Sequence, residues 1–79
     1  MRADICDPND EKAVERFRNA VLRLGGKLGD KGWAMGCHIY RLRIESEELI
    51  VFSDVWSIDI EGPDDLVRKV LSEYEKDLP

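Results

Sequence analysis

Three apolar segments separated by very short polar links constrain this chain more than any other feature. Residues 36–44, 48–53 and 55–61 are rich in β-branched and aromatic side chains, a composition that favours strands. The intervening links, residues 45–48 and 53–54, are short and polar. Links of that length join antiparallel neighbours, since a parallel pair needs a long crossover. The sequence therefore predicts a three-stranded antiparallel meander.

Two amphipathic helices are predicted, one before and one after the meander in the sequence. The first covers residues 8–24, where Asp7 offers a capping carboxylate and Pro8 suits the first helical position. Its apolar residues recur at three- and four-residue steps until Gly25, which favours a left-handed helix end. The second helix covers residues 63–77 and has a similar apolar stripe.

These elements combine into an α+β fold in a single domain of residues 1–79, a length that allows one modest core. One apolar face of the sheet is available to both helices. The sequence therefore predicts a two-layer α-β-β-β-α sandwich, a three-stranded meander with both helices packed on one face. Residues 25–35, which hold most of the glycines, are predicted to be a loop.

The predicted order of elements is similar to that of the double-stranded RNA-binding domain. That family holds phosphates with lysines at the start of its last helix. The corresponding residues here, 63–66, read Pro-Asp-Asp-Leu, and carboxylates at that place repel phosphate. The resemblance covers the order of elements and no motif, and these residues argue against RNA.

The strands leave a surplus of apolar side chains. Residues 49–52 read Leu-Ile-Val-Phe, so one pair faces the helices and the other pair faces outward. In the last strand, Trp56 alternates in phase with two isoleucines and is expected on the inner, apolar face. Three further side chains are expected on the outer face unless a bulge resets the alternation, and they are predicted as apolar anchors for a partner: Trp33, Met35 and Ile39. The other interpretation of Trp33 is that it plugs the edge of the core.

Charge is divided unevenly along the chain. The net charge is −5, yet residues 12–43 carry eight basic and two acidic residues, whereas residues 44–67 carry eight acidic and no basic residues. Such polarity favours steering of an oppositely charged partner, although carboxylates at turns and helix starts also serve folding. The acidic residues predicted to contact a partner are Glu45, Glu47, Glu48, Asp54, Asp59 and Glu61.

Catalytic, cofactor and membrane functions find no support in the pattern of residues. Cys37 and His38 are adjacent in a predicted strand and point to opposite faces, so they form no nucleophile and base pair. The chain has one histidine and two cysteines, too few for a convincing metal site, and no cofactor motif. The lack of convergent catalytic groups predicts that the protein is not an enzyme. The chain has no apolar run of membrane-spanning length, no apolar leader and only two isolated cysteines, so the sequence predicts a cytoplasmic protein.

The function predicted from these features is that of a small acidic protein-binding module. Its sharpest form is an inhibitor or immunity-type protein that occludes a basic partner, and its other form is a homodimer through the outer sheet face. The alternative is nucleic-acid binding through the basic first helix and the glycine-rich loop, against which the net acidity argues. The phosphate contacts in that alternative are Lys12, Arg16, Arg23, Lys27 and Lys31.

Overall fold

The computed structural model describes residues 1–77 and has the element order β-α-β-β-β-β-α. The strands are β1 (Arg2–Cys6), β2 (Lys27–Ala34), β3 (Cys37–Ile44), β4 (Glu47–Ser53) and β5 (Ile58–Glu61), and the helices are α1 (Glu11–Arg23) and α2 (Asp64–Glu75). All the strands form one antiparallel sheet in the order β1-β5-β4-β3-β2. The α+β class is confirmed, whereas the prediction of three strands is wrong because the sheet has five. Residues 78–79 of the predicted domain lie outside the described residues.

Strand β2 occupies most of the segment predicted to be a glycine-rich loop. It pairs with β3 along its length, with an irregularity between Leu28 and Asp30. Met35 and Gly36 form the turn between the two strands and have positive φ angles of 52° and 78°, which suits a tight hairpin. The strand is therefore held by the hairpin and by β3, although its glycines and lysines have little intrinsic preference for a strand.

Because residues 2–6 form strand β1, the first helix begins later in the sequence than predicted. The residues of β1 pair with β5, so the chain needs a turn before it can enter α1. The helix begins at Glu11 rather than Pro8, and its N-cap is Asp10, whose Oδ1 accepts a hydrogen bond from the Ala13 amide at 3.1 Å. Asp7 serves the preceding turn instead, accepting a hydrogen bond from the Asn9 amide at 2.8 Å.

The end of α1 is a Schellman motif. Gly25 has a φ of 76°, its amide donates to the carbonyl of Leu22 at 3.0 Å, and the Gly26 amide donates to the carbonyl of Val21 at 2.9 Å. The glycine pair turns the chain sharply from the helix into β2.

Residues from both helices and from one face of the sheet form a single hydrophobic core. In β4, Leu49 and Val51 are buried in it, at 0% and 5% exposure, while Ile50 and Phe52 face the other way. The core residues are Phe17, Ala20, Val21, Ile44, Leu49, Val51, Ile58, Ile60, Leu66, Val67, Val70 and Tyr74. No helix within residues 1–77 is long and apolar enough to cross a membrane.

Candidate protein-binding surface

Both tryptophans of the chain are exposed at one end of the sheet, Trp33 near the end of β2 and Trp56 in the turn between β4 and β5. Trp33 is 63% exposed and Trp56 is 82% exposed. Each has an exposed apolar neighbour, Met35 beyond Trp33 and Val55 before Trp56. We call these four residues the tryptophan end. Exposure of both tryptophans is notable because this side chain is highly buried on average in folded proteins.

Strand pairing brings the two turns to the same end of the sheet. His38 of β3 is opposite Ser53 of β4, and Ser53 is opposite Ile58 of β5. The β2–β3 turn and the β4–β5 turn therefore leave the sheet next to this row. With strands about 4.8 Å apart, the centres of the two turns are separated by about 10 Å. One partner surface of ordinary size is large enough to cover both.

Trp33 is held by a row of aromatic rings on the sheet. It lies directly opposite His38, with ring centroids 4.5 Å apart in an edge-to-face arrangement. The His38 ring in turn stacks with that of Tyr40, with centroids 6.3 Å apart. Such contacts restrict the indole without burying it.

Trp56 is presented by a turn that Asp54 closes. The Asp54 carboxylate accepts hydrogen bonds from the amides of Trp56 and Ser57, at 2.7 and 2.8 Å. The predicted strand over residues 55–61 therefore begins only at Ile58, and the expectation that Trp56 faces the core is wrong. Asp is favoured at the start of turns because its carboxylate accepts hydrogen bonds from amides two and three residues later, so Asp54 is a turn signal in the sequence.

An apolar groove adjoins the tryptophan end, between α1 and the sheet. It encloses about 370 Å³ and is lined by apolar side chains of α1 and of β2 to β4, among them Val14, Phe17, Leu22, Leu28, Tyr40 and Leu42. The helices pack most extensively against each other, with further contacts to β1 and β4, and the groove lies open beside β2 and β3. Leu22 and Leu28 are 62% and 58% exposed, and Arg18 and Lys27 lie among the lining residues.

The groove and Trp33 share one face of the sheet. Tyr40 and Leu42 line the groove, and His38 is in phase with them along β3. Trp33 lies opposite His38, so it continues the same surface. The turn at Met35 and Gly36 resets the alternation, which separates Trp33 from Ile39.

The outer face of the sheet holds the surplus apolar side chains, but it leaves them only partly exposed. Ile39, Ile50 and Phe52 are all half-buried. The guanidinium of Arg2 covers the Phe52 ring at 4.4 Å from its centroid. The predicted anchors are therefore divided, with Trp33 and Met35 exposed at the tryptophan end and Ile39 on the other face.

The six acidic residues predicted as one contact surface are spread over both ends of the sheet. Glu45, in the β3–β4 turn, accepts a hydrogen bond from Lys69 Nζ at 2.9 Å. Asp54 closes the β4–β5 turn at the opposite end. Asp59 is paired with Arg2 at 3.1 Å. Glu47 lies on β4, opposite Ile44. The other two, on β4 and β5, project to the outer face: Glu48 and Glu61.

Asp59 also faces a second carboxyl group across the sheet. Asp4 of β1 is its direct partner across the sheet. A hydrogen bond to Asp59 raises the pKa of Asp4, and burial and the negative charge of Asp59 raise it further. Burial acts to raise the pKa of Asp59, but hydrogen bonds from Asp4, Arg2 and Ser57 outweigh burial and lower it. The pair therefore favours a proton on Asp4 and a charge on Asp59.

The basic residues predicted as phosphate contacts do not form one surface either. Arg23 joins the two helices, donating from Nε to Glu73 at 3.0 Å and from Nη1 to Asp77 at 2.9 Å. Arg16 lies against Tyr74, with its guanidinium 5.5 Å from the ring centroid. The remaining three are exposed, one on α1 and two on β2: Lys12, Lys27 and Lys31.

The cysteines are free and lie apart. Cys6 pairs with Ile58, Ile58 with Ser53, and Ser53 with His38, which is next to Cys37. The strands that carry the two cysteines, β1 and β3, are therefore three strand spacings apart, about 14 Å. That separation exceeds the reach of a disulfide. Burial raises the pKa of the Cys6 thiol, which makes it a poor nucleophile. Among residues 1–77, no three His, Cys, Asp or Glu side chains converge as metal ligands.

Comparison of the chain with protein-family models, with curated proteins and with solved structures found no match in any of the three. Function therefore has to be inferred from the geometry and chemistry of these surfaces.

Proposed function

We propose that this protein is a small protein-binding module that contacts its partner through the tryptophan end and the adjoining groove, and that it binds rather than catalyses. The observation that carries the proposal is the exposure of both tryptophans, at 63% and 82%, at the same end of the sheet. A tryptophan buries about 150–250 Å² when it is covered, and tryptophan is enriched among residues that dominate binding energy.

The way the Trp33 ring and the backbone at Trp56 are held supports the proposal. Asp54 fixes the turn that carries Trp56, and His38 restricts Trp33. A side chain that is already ordered loses less conformational entropy on binding, so more of its contact energy appears as affinity. The open groove extends the contact area beyond the two rings.

An inhibitor or immunity-type role against a basic partner is a narrower form of the proposal. It is supported by three acidic side chains that make no ion pair within residues 1–77: Glu47, Glu48 and Glu61. Charges without an ion-pair partner raise the rate of association more than the final affinity. They would steer a basic partner, while the tryptophan end would supply the apolar contact.

The test is affinity capture from a nuclease-treated extract of the source cells with three forms of the protein. The forms are the natural chain, the double variant Trp33→Ala/Trp56→Ala, and the control Arg68→Gln/Glu75→Gln at two exposed positions on α2, each checked for folding by circular dichroism. We expect a stoichiometric protein to be captured by the natural chain and the control and to be lost from the tryptophan variant.

Three results would overturn the proposal. The first is retention of the same protein by a folded tryptophan variant, and the second is the absence of any specifically captured protein. The third is recovery of only a second copy of this chain, which would make the protein a homodimer without a separate partner.

A further inference from the structure

Strand β2 presents an open edge of the sheet. It is the last strand in the order β1-β5-β4-β3-β2, and each of its eight residues is exposed. One side of β2 pairs with β3, so the backbone groups on the other side have no partner strand within residues 1–77. At the other edge of the sheet, β1 packs against both helices. The edge of β2 is therefore the place where another strand can extend the sheet.

The second half of β2 is regular enough to pair with such a strand. Beyond the irregularity between Leu28 and Asp30, the register with β3 is unbroken from Asp30 to Ala34. These five residues match the usual length of a strand, about 5–6 residues, and they contain no proline. We call residues 30–34 the edge segment.

The edge segment carries one acidic and one basic side chain, on opposite faces of the sheet. Lys31 and Trp33 point to the groove face. The other three residues, Asp30, Gly32 and Ala34, point to the outer face because side chains alternate along a strand. The segment is therefore neutral in a chain of net charge −5, and two copies can meet there without a net repulsion between the segments.

Symmetry limits how two edge segments can pair. A two-fold axis perpendicular to the sheet makes the two strands antiparallel and places one residue opposite its own copy. An axis at Asp30 or Lys31 places like charges directly opposite each other, which is destabilising. An axis at Trp33 or Ala34 leaves the start of the segment without a partner in the other segment. Only an axis at Gly32 pairs all five residues and avoids a directly opposed pair of like charges.

The pairing centred on Gly32 is complementary along the segment. Asp30 lies opposite Ala34 of the second copy on the outer face. On the groove face, Lys31 lies opposite Trp33 of the second copy, and an ammonium group beside an exposed indole is favourable. Gly32 lies opposite its own copy, so no side chain at the centre holds the two strands apart. The symmetry repeats each of these contacts on the other side of the axis.

We propose that this protein forms a symmetric dimer in which the edge segments of two copies pair antiparallel about Gly32 and join the two sheets into one sheet of ten strands. The perpendicular axis keeps the helices of both copies on the same face, so the two grooves meet at the junction. The inference goes beyond the proposed function, because the pairing uses the edge of β2 and leaves Val55 and Trp56 exposed to a separate partner.

Three features make the dimer weak. The contact between two five-residue strands is smaller than the roughly 1,200 Å² at which stable interfaces begin. The two copies of Lys31 are diagonal neighbours, with backbones about 7–8 Å apart, so their ammonium groups have to turn away from each other. The Lys31 amide also donates to the Asp30 carboxylate at 2.8 Å, so one donor of the segment is already satisfied without a second strand. We therefore expect a dissociation constant on the order of 100 µM.

The experiment is sedimentation equilibrium of the natural chain from about 10 µM to about 1 mM. The buffer contains a reducing agent because both cysteines are free. We expect a reversible equilibrium between monomer and dimer. Amide NMR of the ¹⁵N-labelled protein over the same range should show shifts and slowed amide exchange in residues 30–34 as the concentration rises.

Substitutions at Gly32 test the register. A Cβ at this position meets no atom within 4 Å, so the variants should fold. Gly32→Glu should weaken dimerisation about tenfold, because the new carboxylates lie opposite each other and diagonal to Asp30 of the other copy. Gly32→Gln has nearly the same size without the charge and should weaken dimerisation less. Ser72→Glu, at an exposed position on α2, adds the same charge and should change the dissociation constant by less than about twofold.

A mixture of two charged variants tests whether Gly32 lies opposite its own copy. Gly32→Lys places ammonium groups opposite each other in its own dimer, whereas its dimer with the Gly32→Glu chain places an ammonium group opposite a carboxylate. We expect the mixed dimer to be tighter than the dimer that either variant forms alone. This preference should shrink as salt rises, because exposed charge pairs are screened.

The inference is overturned if the natural chain is monomeric at about 1 mM, if Gly32→Glu and Ser72→Glu weaken dimerisation equally, or if the mixed dimer is no tighter than its parents. It is also overturned if a dimer forms with shifts at Ile50 and Phe52 and with unchanged exchange in residues 30–34, since that result describes packing of the outer faces. A monomeric chain that still captures a partner through its tryptophans refutes the dimer and leaves the proposed function standing.

Discussion

Gly26 offers the sharpest test of how the end of α1 is joined to the groove. An alanine Cβ at this position would stand 2.4 Å from Cγ1 of Val21, 2.9 Å from the carbonyl oxygen of Val21 and 3.3 Å from Cγ1 of Ile44. Val21 is only 7% exposed and Ile44 is fully buried, so neither side chain can swing into solvent. The carbonyl also accepts the Gly26 amide at 2.9 Å, so moving it strains the helix end.

The expected cost of Gly26→Ala follows from these distances. Forcing a methyl group into a packed site costs about 1–3 kcal/mol of unfolding free energy. In a domain of this size, each kcal/mol lowers the melting temperature by about 4–8 °C, so we expect a fall on the order of 10 °C.

Two neighbouring glycines separate the effect of space from that of backbone conformation. Gly25→Ala meets no atom within 4 Å but has a φ of 76°, so it should cost about 1–2 kcal/mol through strain alone. Gly32→Ala meets no atom within 4 Å and has no such φ, so it should be neutral or slightly stabilising. The three variants therefore form a graded series.

Urea denaturation followed by far-ultraviolet circular dichroism measures all three free energies of unfolding. A Gly26→Ala variant within about 0.5 kcal/mol of Gly32→Ala would refute the close approach of the helix end to the core. A variant with a changed m-value as well as a changed midpoint would show that the native or denatured state had altered in compactness.

Three further predictions concern the core, the paired carboxyl groups and the contact between the helices. Ile60→Val should lower the free energy of unfolding, measured by urea denaturation, by about 0.5–1.5 kcal/mol because Ile60 is fully buried. Ile50→Val should lower it less because Ile50 faces outward, and equal losses would contradict the burial pattern. Because the pKa of Asp4 is raised in the folded chain, its contribution to stability is full at low pH and is lost as the pH rises through that pKa. Asp4→Asn should therefore gain stability relative to the natural chain between pH 3 and pH 7, and a constant difference would be inconsistent with the shared hydrogen bond. Arg23→Gln should lower the melting temperature at low ionic strength, with a smaller difference in about 1 M salt; a difference that salt leaves unchanged would argue against the ion pairs.

The elements that local pattern specifies strongly are the ones that the sequence predicts well. The predicted strands over residues 36–44 and 48–53 correspond to β3 and β4, which begin one residue later and one residue earlier, respectively. In β4 every residue from Leu49 to Phe52 is apolar, and such a run is read as a strand whichever pair is buried. The helices likewise have apolar stripes long enough to stand out from their surroundings.

The two edge strands carry no comparable local signal. β1 has only five residues, and two of them, Arg2 and Asp4, are charged. β2 contains glycine at positions 29 and 32 and has no β-branched residue. Both strands form because a neighbour offers backbone partners, and that is a tertiary effect that single-residue propensity does not contain.

The candidate site lies where sequence-based expectation and structure differ most. Trp56 has the right phase for the core but is drawn out of the strand by Asp54, and Trp33 has a strand partner where a loop is expected. A chain selected for stability alone has no reason to keep both rings in water, since burial of either would add favourable hydrophobic free energy. Departures of this kind are expected where a sequence serves a binding surface as well as a core. Local sequence pattern predicts the wrong structure at two separate places, the glycine-rich β2 and the turn that carries Trp56. Both places lie at the tryptophan end, which supports a binding role for that end of the molecule.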